Sequence, residues 1–78
     1  MNITIYGTKN CTYCEAAKHW LENIGHEVEK VIITDDLILM NALIKETGSR
    51  TVPIIKIGDI LVSGFDKIKL IDAFESAK

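Results

Sequence analysis

Hydrophobic and polar residues alternate at the start of the chain and then change to a helical spacing. In NITIYG, Ile3 and Ile5 share one face of a β-branched segment, which predicts a strand. The segment CTYCEAAKHWLENIG follows, and it stops at Gly25, a residue type common at helix ends. Its apolar positions at helical spacing are Ala16, Ala17, Trp20, Leu21 and Ile24. The pattern therefore predicts a strand and then a helix that begins near Cys11.

The middle of the chain repeats this alternation of strand and helix. HEVEKVII has strand-like content, and TDDLILMNALIKETG predicts a helix with Thr34 and Asp35 as candidate caps and an end at Gly48. The apolar positions of this helix are Leu37, Met40, Leu43 and Ile44. Two further β-runs, TVPIIKI and ILVSG, are separated only by Gly58 and Asp59, which predicts a hairpin with a two-residue turn.

The last segment, DKIKLIDAFESAK, predicts a third helix that opens at Asp66. Its apolar positions are Ile68, Leu70, Ile71 and Phe74. The order is β-α-β-α-β-β-α, and its first β-α-β unit implies parallel strands joined by a right-handed crossover. We expect an α/β fold with a four-stranded mixed sheet flanked by three helices. A length of 78 residues indicates one domain, 1–78.

Composition and charge exclude several classes of function. Hydrophobic residues make up 47% of the chain and charged residues 26%, as in ordinary globular proteins. The net charge is −2, no basic block is present and aromatic residues are few, which argues against nucleic-acid binding. No apolar run approaches the roughly 18 residues of a membrane span, and MNITIYG does not resemble a signal peptide. We expect a cytoplasmic protein that is a monomer.

The chain contains two cysteines, Cys11 and Cys14, separated by two residues. A permanent structural disulfide is disfavoured, because cytoplasmic thiols are kept reduced and so short a loop gains little from chain entropy. A helix N-terminus instead stabilises a thiolate, and Lys9 adds positive charge. We predict that Cys11 is the attacking thiol, with a lowered pKa. Cys14, one turn further on the same helix face, is predicted to be the more buried resolving thiol.

A zinc site is the alternative use of these thiols. Structural zinc needs four ligands, and the available candidates are Cys11, Cys14, His19 and His26. His26 lies beyond the end of the predicted helix, so the four side chains converge poorly. We therefore expect no metal.

Three motifs together resemble those of the glutaredoxin family within the thioredoxin-fold superfamily: CTYC after the first strand, TVP opening the third, and SGFD after the fourth. The resemblance covers essentially the whole chain. In its small size the chain is similar to the small dithiol glutaredoxins of phages and bacteria. The resemblance implies a thioredoxin-like fold and thiol–disulfide oxidoreductase activity with glutathione as the reductant. It also implies disulfide-containing proteins as partners, with ribonucleotide reductase as an expected electron acceptor.

The same resemblance implies a set of site residues. Pro53 is expected in the cis form facing the cysteines, with the backbone of Val52 pairing with the substrate. Lys9 and Tyr13 match positions near the glycine carboxylate of glutathione, and Lys67 stands where the family usually has a carboxylate for the γ-glutamyl ammonium. The full set of implied glutathione-site residues is Lys9, Tyr13, Arg50, Thr51, Val52, Pro53, Gly64, Phe65, Asp66 and Lys67.

Other activities within this resemblance remain open. SGF is also similar to the glutaredoxin-like hydrogen donors of ribonucleotide reductase, which are reduced by thioredoxin reductase. Some glutaredoxins without proline in the cysteine motif bind a [2Fe–2S] cluster across a dimer, and Thr12 permits that here. A binding module without turnover is a further alternative, which the intact cysteine pair argues against.

Overall fold

The computed structural model describes residues 3–49 and 52–76. Its elements follow the predicted order and have the bounds β1 (Ile3–Gly7), α1 (Thr12–Asn23), β2 (Val28–Ile32), α2 (Leu37–Thr47), β3 (Ile54–Ile57), β4 (Ile60–Ser63) and α3 (Lys67–Ser76). None of the helices in the described ranges is long and apolar enough to cross a membrane.

The four strands form one mixed sheet in the order β2-β1-β3-β4. β1 and β2 run parallel, and β3 is antiparallel to both β1 and β4. The register pairs Gly7 with Ile32, Tyr6 with Ile54, and Ile54 with Ser63. One end of the sheet, here called the upper edge, therefore contains Gly7, Ile32, Ile54 and Ser63. The three predicted motifs all follow or precede strands at this edge.

The helices cover both faces of the sheet, as expected. On one face α1 and α3 enclose the larger core cluster, which includes Ile5, Leu21, Ile55 and Leu70 and also both cysteines. On the other face α2 packs through Leu43 over a smaller cluster. The sheet supplies both clusters because neighbouring residues of a strand point to opposite faces. The predicted fold class is confirmed.

The turns and helix ends follow local chemistry, with one correction. The hairpin turn lies at Gly58, whose φ of 59° is the positive value that a tight two-residue turn requires. α2 ends at Gly48 in the left-handed conformation, as predicted. The N-cap of α2, however, is Asp36, whose carboxylate accepts the Leu39 N–H at 3.0 Å. The prediction of Thr34 or Asp35 was wrong, because a turn in which the Asp36 N–H donates to the Ile33 carbonyl precedes the helix.

The apolar faces of the helices are narrower than the sequence spacing predicts. α3 buries Leu70 and Ala73, whereas Ile68 and Ile71 are largely exposed. α2 buries Leu43 and leaves Leu37 exposed. Each of these helices of ten to eleven residues buries only one or two side chains, so apolar residues on their flanks stay in solvent.

Candidate active site

The loop between β1 and α1 places Cys11 at the first position of the helix. Cys11 is the N-cap of α1 with an extended backbone, at φ −88° and ψ 105°. Its Sγ accepts a hydrogen bond from the Cys14 N–H at 3.1 Å. A sulfur at this position faces the unpaired amides and the positive end of the helix dipole, both of which stabilise a negative charge. The lowered thiol pKa of Cys11 stays a prediction that this geometry supports.

The two cysteines are joined as a disulfide, with their Cα atoms 5.2 Å apart. Cys11 keeps 9% of its surface exposed and Cys14 keeps none. The predicted difference in burial is therefore confirmed. Cys11, at the head of α1, is thus the less buried of the two cysteines, whereas Cys14 is completely enclosed in the core cluster.

Gly7 makes room for the buried sulfur of Cys14. A Cβ added at Gly7 would overlap the Cys14 Sγ and would lie 3.3 Å from the Cys14 Cβ. Any side chain at this position would therefore require the Cys14 side chain to move. The sequence analysis missed this residue, and its signal is a glycine that ends a β-branched strand just before the cysteine motif.

Two of the predicted motifs meet at the upper edge. The Val52–Pro53 peptide bond is cis, as expected, and Pro53 is buried. The Gly64 N–H donates to the Pro53 carbonyl oxygen at 2.7 Å, with Gly64 in a left-handed conformation at φ 84°. This bond connects the start of β3 to the loop that leads into α3.

The other predicted glutathione contacts lie in different surroundings. Tyr13 is 69% exposed and Lys9 is exposed, so both side chains are available to a ligand beside Cys11. Val52 is half-buried and packs against both core clusters. Arg50 and Thr51 lie outside the described residues. The assignment of all these residues to glutathione stays a prediction.

The N-terminus of α3 already has an acceptor of its own. The Asp66 carboxylate accepts the Ile68 N–H at 3.0 Å and the Lys69 N–H at 3.3 Å. These two amides directly follow Gly64, Phe65, Asp66 and Lys67, the segment that the resemblance implies for glutathione. A bound anion at this helix end would have to compete with Asp66 for them.

Lys67 extends over two aromatic rings next to this helix end. Its Nζ lies 5.8 Å from the centre of the Trp20 ring and 6.0 Å from the centre of the Phe65 ring. The two rings are 6.0 Å apart and tilted by 57°. We call Trp20, Phe65 and Lys67 the aromatic–lysine cluster. The sequence analysis did not connect Trp20 with the site, because the contact joins residues distant in sequence.

An ion pair between Lys30 and Glu15 ties β2 to α1. Lys30 Nζ donates to a carboxylate oxygen of Glu15, the residue that follows Cys14. The hydrogen bond and the charge of Lys30 lower the pKa of Glu15 below its ordinary value. The sequence analysis also missed this pair, whose members are 15 residues apart.

His26, one of the residues considered for zinc, packs against α3. His26 stacks on Phe74, with ring centres 4.8 Å apart and an angle of 11° between the planes. Across residues 3–49 and 52–76, no three His, Cys, Asp or Glu side chains are grouped so that they could hold a metal ion.

The whole arrangement matches a known family. The glutaredoxin family profile matches residues 3–62, which include the cysteine pair, the cis proline and β1 to β4 up to Val62. The chain belongs to the glutaredoxin family. It is a thiol–disulfide oxidoreductase with a redox-active pair of cysteines.

Relatives of this glutaredoxin include members of more than one kind. The glutaredoxin-like protein NrdH of Salmonella typhimurium is 39% identical over 66 residues, covering 83% of this chain and 79% of the relative. Glutaredoxin 3 of Escherichia coli is 32% identical over 72 residues, covering 92% and 87%. The solved structure of the Escherichia coli NrdH-redoxin superposes with a TM-score of 0.73 at 30% identity, covering 92% and 93%.

Proposed function

We propose that this glutaredoxin reduces protein disulfides and glutathione mixed disulfides by a dithiol mechanism. The Cys11 thiolate attacks one sulfur of the substrate disulfide, so that a mixed disulfide forms and the other substrate sulfur leaves as a thiolate. Cys14 then attacks the Cys11 sulfur, and the second substrate sulfur leaves as a thiolate that takes up a proton. The substrate gains two electrons, and the protein ends with the Cys11–Cys14 disulfide.

The observation that supports these roles is the difference in exposure within the pair. An intermolecular attack favours the less buried of the two sulfurs, which belongs to Cys11 at the head of α1. The second attack is intramolecular and needs only the 5.2 Å Cα separation across one turn. Both steps require free thiols to be regenerated, so we place the protein in a reducing compartment, the cytoplasm. We further propose that it acts as a monomer.

As the source of electrons we propose thioredoxin reductase. Two observations support this choice. The Salmonella relative at 39% identity is an NrdH, and the Escherichia coli NrdH-redoxin is a glutaredoxin-like protein with a thioredoxin-like activity profile. In addition, the resemblance implies that the γ-glutamyl ammonium of glutathione would lie next to the position of Lys67. The ammonium of Lys67 carries the same charge and would repel it. Ribonucleotide reductase is the proposed electron acceptor.

Glutathione is the second candidate for the reductant. The exposure of Tyr13 and Lys9 beside Cys11 favours it, as does the 32% identity to Escherichia coli Glutaredoxin 3. In this case the ligand would lie along Val52 and Pro53, and its γ-glutamyl end would approach the loop that leads into α3.

The test is NADPH consumption with a protein disulfide substrate in two coupled systems. One contains thioredoxin reductase alone, and the other contains glutathione with glutathione reductase. We expect turnover in the first system. Turnover only in the second would overturn the choice of reductant and leave the dithiol mechanism standing. Absence of turnover in both, and with dithiothreitol as reductant, would overturn the proposed function.

A further inference from the structure

The ammonium of Lys67 is held in place without a carboxylate partner. Among the described residues the ion pair between Lys30 and Glu15 does not involve it, and its contacts are with the Trp20 and Phe65 rings. Both rings are partly buried and pack against the core cluster that contains the two cysteines. A lysine positioned over fixed rings has already lost part of its side-chain freedom, so it loses less on binding an anion.

The aromatic–lysine cluster lies at the same end of the sheet as the redox pair. Phe65 follows Gly64, whose N–H is hydrogen-bonded to the carbonyl of Pro53. β3 pairs with both β1 and β4 in a register that puts Pro53 and Gly64 at the upper edge, where the loop from β1 leads to Cys11, the N-cap of α1. The start of α1 and the start of α3 therefore lie at the same end of the sheet.

Charged residues of both signs lie near this edge. The carboxylates of Asp36 and Asp66 each accept amide hydrogens at a helix N-terminus, where the positive end of the helix dipole stabilises them. Lys9, two residues before Cys11, is exposed, and no ion pair is recorded for it within the described part of the chain. Lys9, before the start of α1, and Lys67, at the start of α3, thus add two cations at this end of the sheet.

We propose that Lys67 is a specificity-determining residue that binds a carboxylate of an acidic segment next to the disulfide of the protein partner. The inference rests on the proposed reduction of protein disulfides and adds the chemical class of the partner's surface. The same ammonium selects against partners that present a cation at this position. Lys67 acts by docking and touches none of the reacting sulfur atoms.

The experiment uses two synthetic peptides that contain an intramolecular disulfide and differ only in their flanking residues, which are glutamates in one and lysines in the other. The protein is fully reduced with dithiothreitol, freed of it, and mixed with each peptide under single-turnover conditions at low salt. The ratio of the two second-order rate constants reports charge preference independently of the reductase. The variants are Lys67→Gln and Lys67→Glu, and Lys69→Gln is the control because Lys69 is an exposed lysine on the same helix.

We expect the wild-type protein to reduce the acidic peptide about fivefold faster than the basic one, since an exposed ion pair is worth up to about one kcal/mol. Lys67→Gln should bring the ratio close to one, Lys67→Glu should invert it, and Lys69→Gln should leave it unchanged. Added salt should lower the wild-type ratio.

Three results would overturn the inference. A wild-type ratio of one would exclude a charge preference, and an equal fall in Lys67→Gln and Lys69→Gln would assign the preference to the general surface charge. Failure of the wild-type protein to reduce either peptide would overturn the proposed function and this inference with it.

Discussion

Cys11 and Cys14 have different surroundings although only two residues separate them. Cys11 caps α1 with its sulfur toward the first-turn amides, whereas Cys14 packs against the backbone of Gly7 inside the core. This difference in surroundings supports the proposal that Cys11 attacks the substrate and that Cys14 resolves the mixed disulfide.

Single replacements at the pair should separate these steps. We expect Cys11→Ser to reduce turnover of every disulfide substrate to background, because no other exposed thiol is available. Cys14→Ser should still attack and should accumulate a stable mixed disulfide with a protein substrate, detectable by mass spectrometry. If the Cys11→Ser variant formed that adduct and Cys14→Ser did not, the assigned roles would be reversed.

At the scale of the element, the start of α2 offers a direct test of helix capping. We expect Asp36→Ala to lower the free energy of unfolding by about 1 kcal/mol, because the Leu39 N–H loses its acceptor. Asp35→Ala is the matched control, and as a neighbouring exposed carboxylate it should change stability by less than about 0.5 kcal/mol. Urea denaturation of the three proteins measures the difference. An equal loss in both variants would contradict Asp36 as the cap.

The ion pair between α1 and β2 should make part of the stability depend on pH. Lys30 lowers the pKa of Glu15, so this carboxylate stays ionised to a lower pH in the folded protein than in the unfolded chain. The stabilisation is therefore present above the ordinary value of 4.5 and is lost as the pH falls through the lowered folded value. We expect Lys30→Met to be less stable than wild type at neutral pH, and we expect this difference to shrink as the pH falls through the lowered pKa of Glu15.

The control for this pH dependence is the Glu15→Gln background. There Lys30→Met should have the same effect at neutral and at acidic pH, because no carboxylate is left to titrate. A pH-dependent difference that persists in this background would assign the effect to another acid.

Sequence patterns predicted those elements whose signals are local. The turn at Gly58, the helix end at Gly48 and the position of Cys11 each depend on residues adjacent in sequence, and all three were predicted. The cap of α2 was misplaced because three acceptors in a row, Thr34 to Asp36, satisfy the same local rule, and only the preceding turn selects among them. Lys67 over Trp20 had no local signal, since sheet topology brings these residues together.

At the scale of the whole molecule, the redox pair is part of the main core. The cluster between α1, α3 and the sheet contains Cys11 and Cys14 together with Leu21, Ile55 and Leu70. A chain of 78 residues has little stability to spare, so loss of packing anywhere in this cluster also affects the cysteines.

Two leucine-sized side chains on α3 test this view of the core. We expect Leu70→Ala to cost about 2–5 kcal/mol of unfolding free energy, because Leu70 is fully buried and the change leaves a cavity. Ile68→Ala, on the exposed side of the same helix, should cost less than about 0.5 kcal/mol. Thermal or urea denaturation distinguishes the two. Similar losses in both variants would show that α3 is rotated from the position described.

The strand register places the turn between β3 and β4 and the redox pair at opposite ends of the sheet. Changes of sequence at the turn therefore lie far from the cysteines. The turn at Gly58 and Asp59 joins β3 to β4 at the end opposite Cys11, Pro53 and Gly64. A reporter peptide inserted at this turn would be carried a full strand length from the reacting sulfur atoms. We therefore expect the protein to accept residues inserted at this turn and to keep its thiol–disulfide activity.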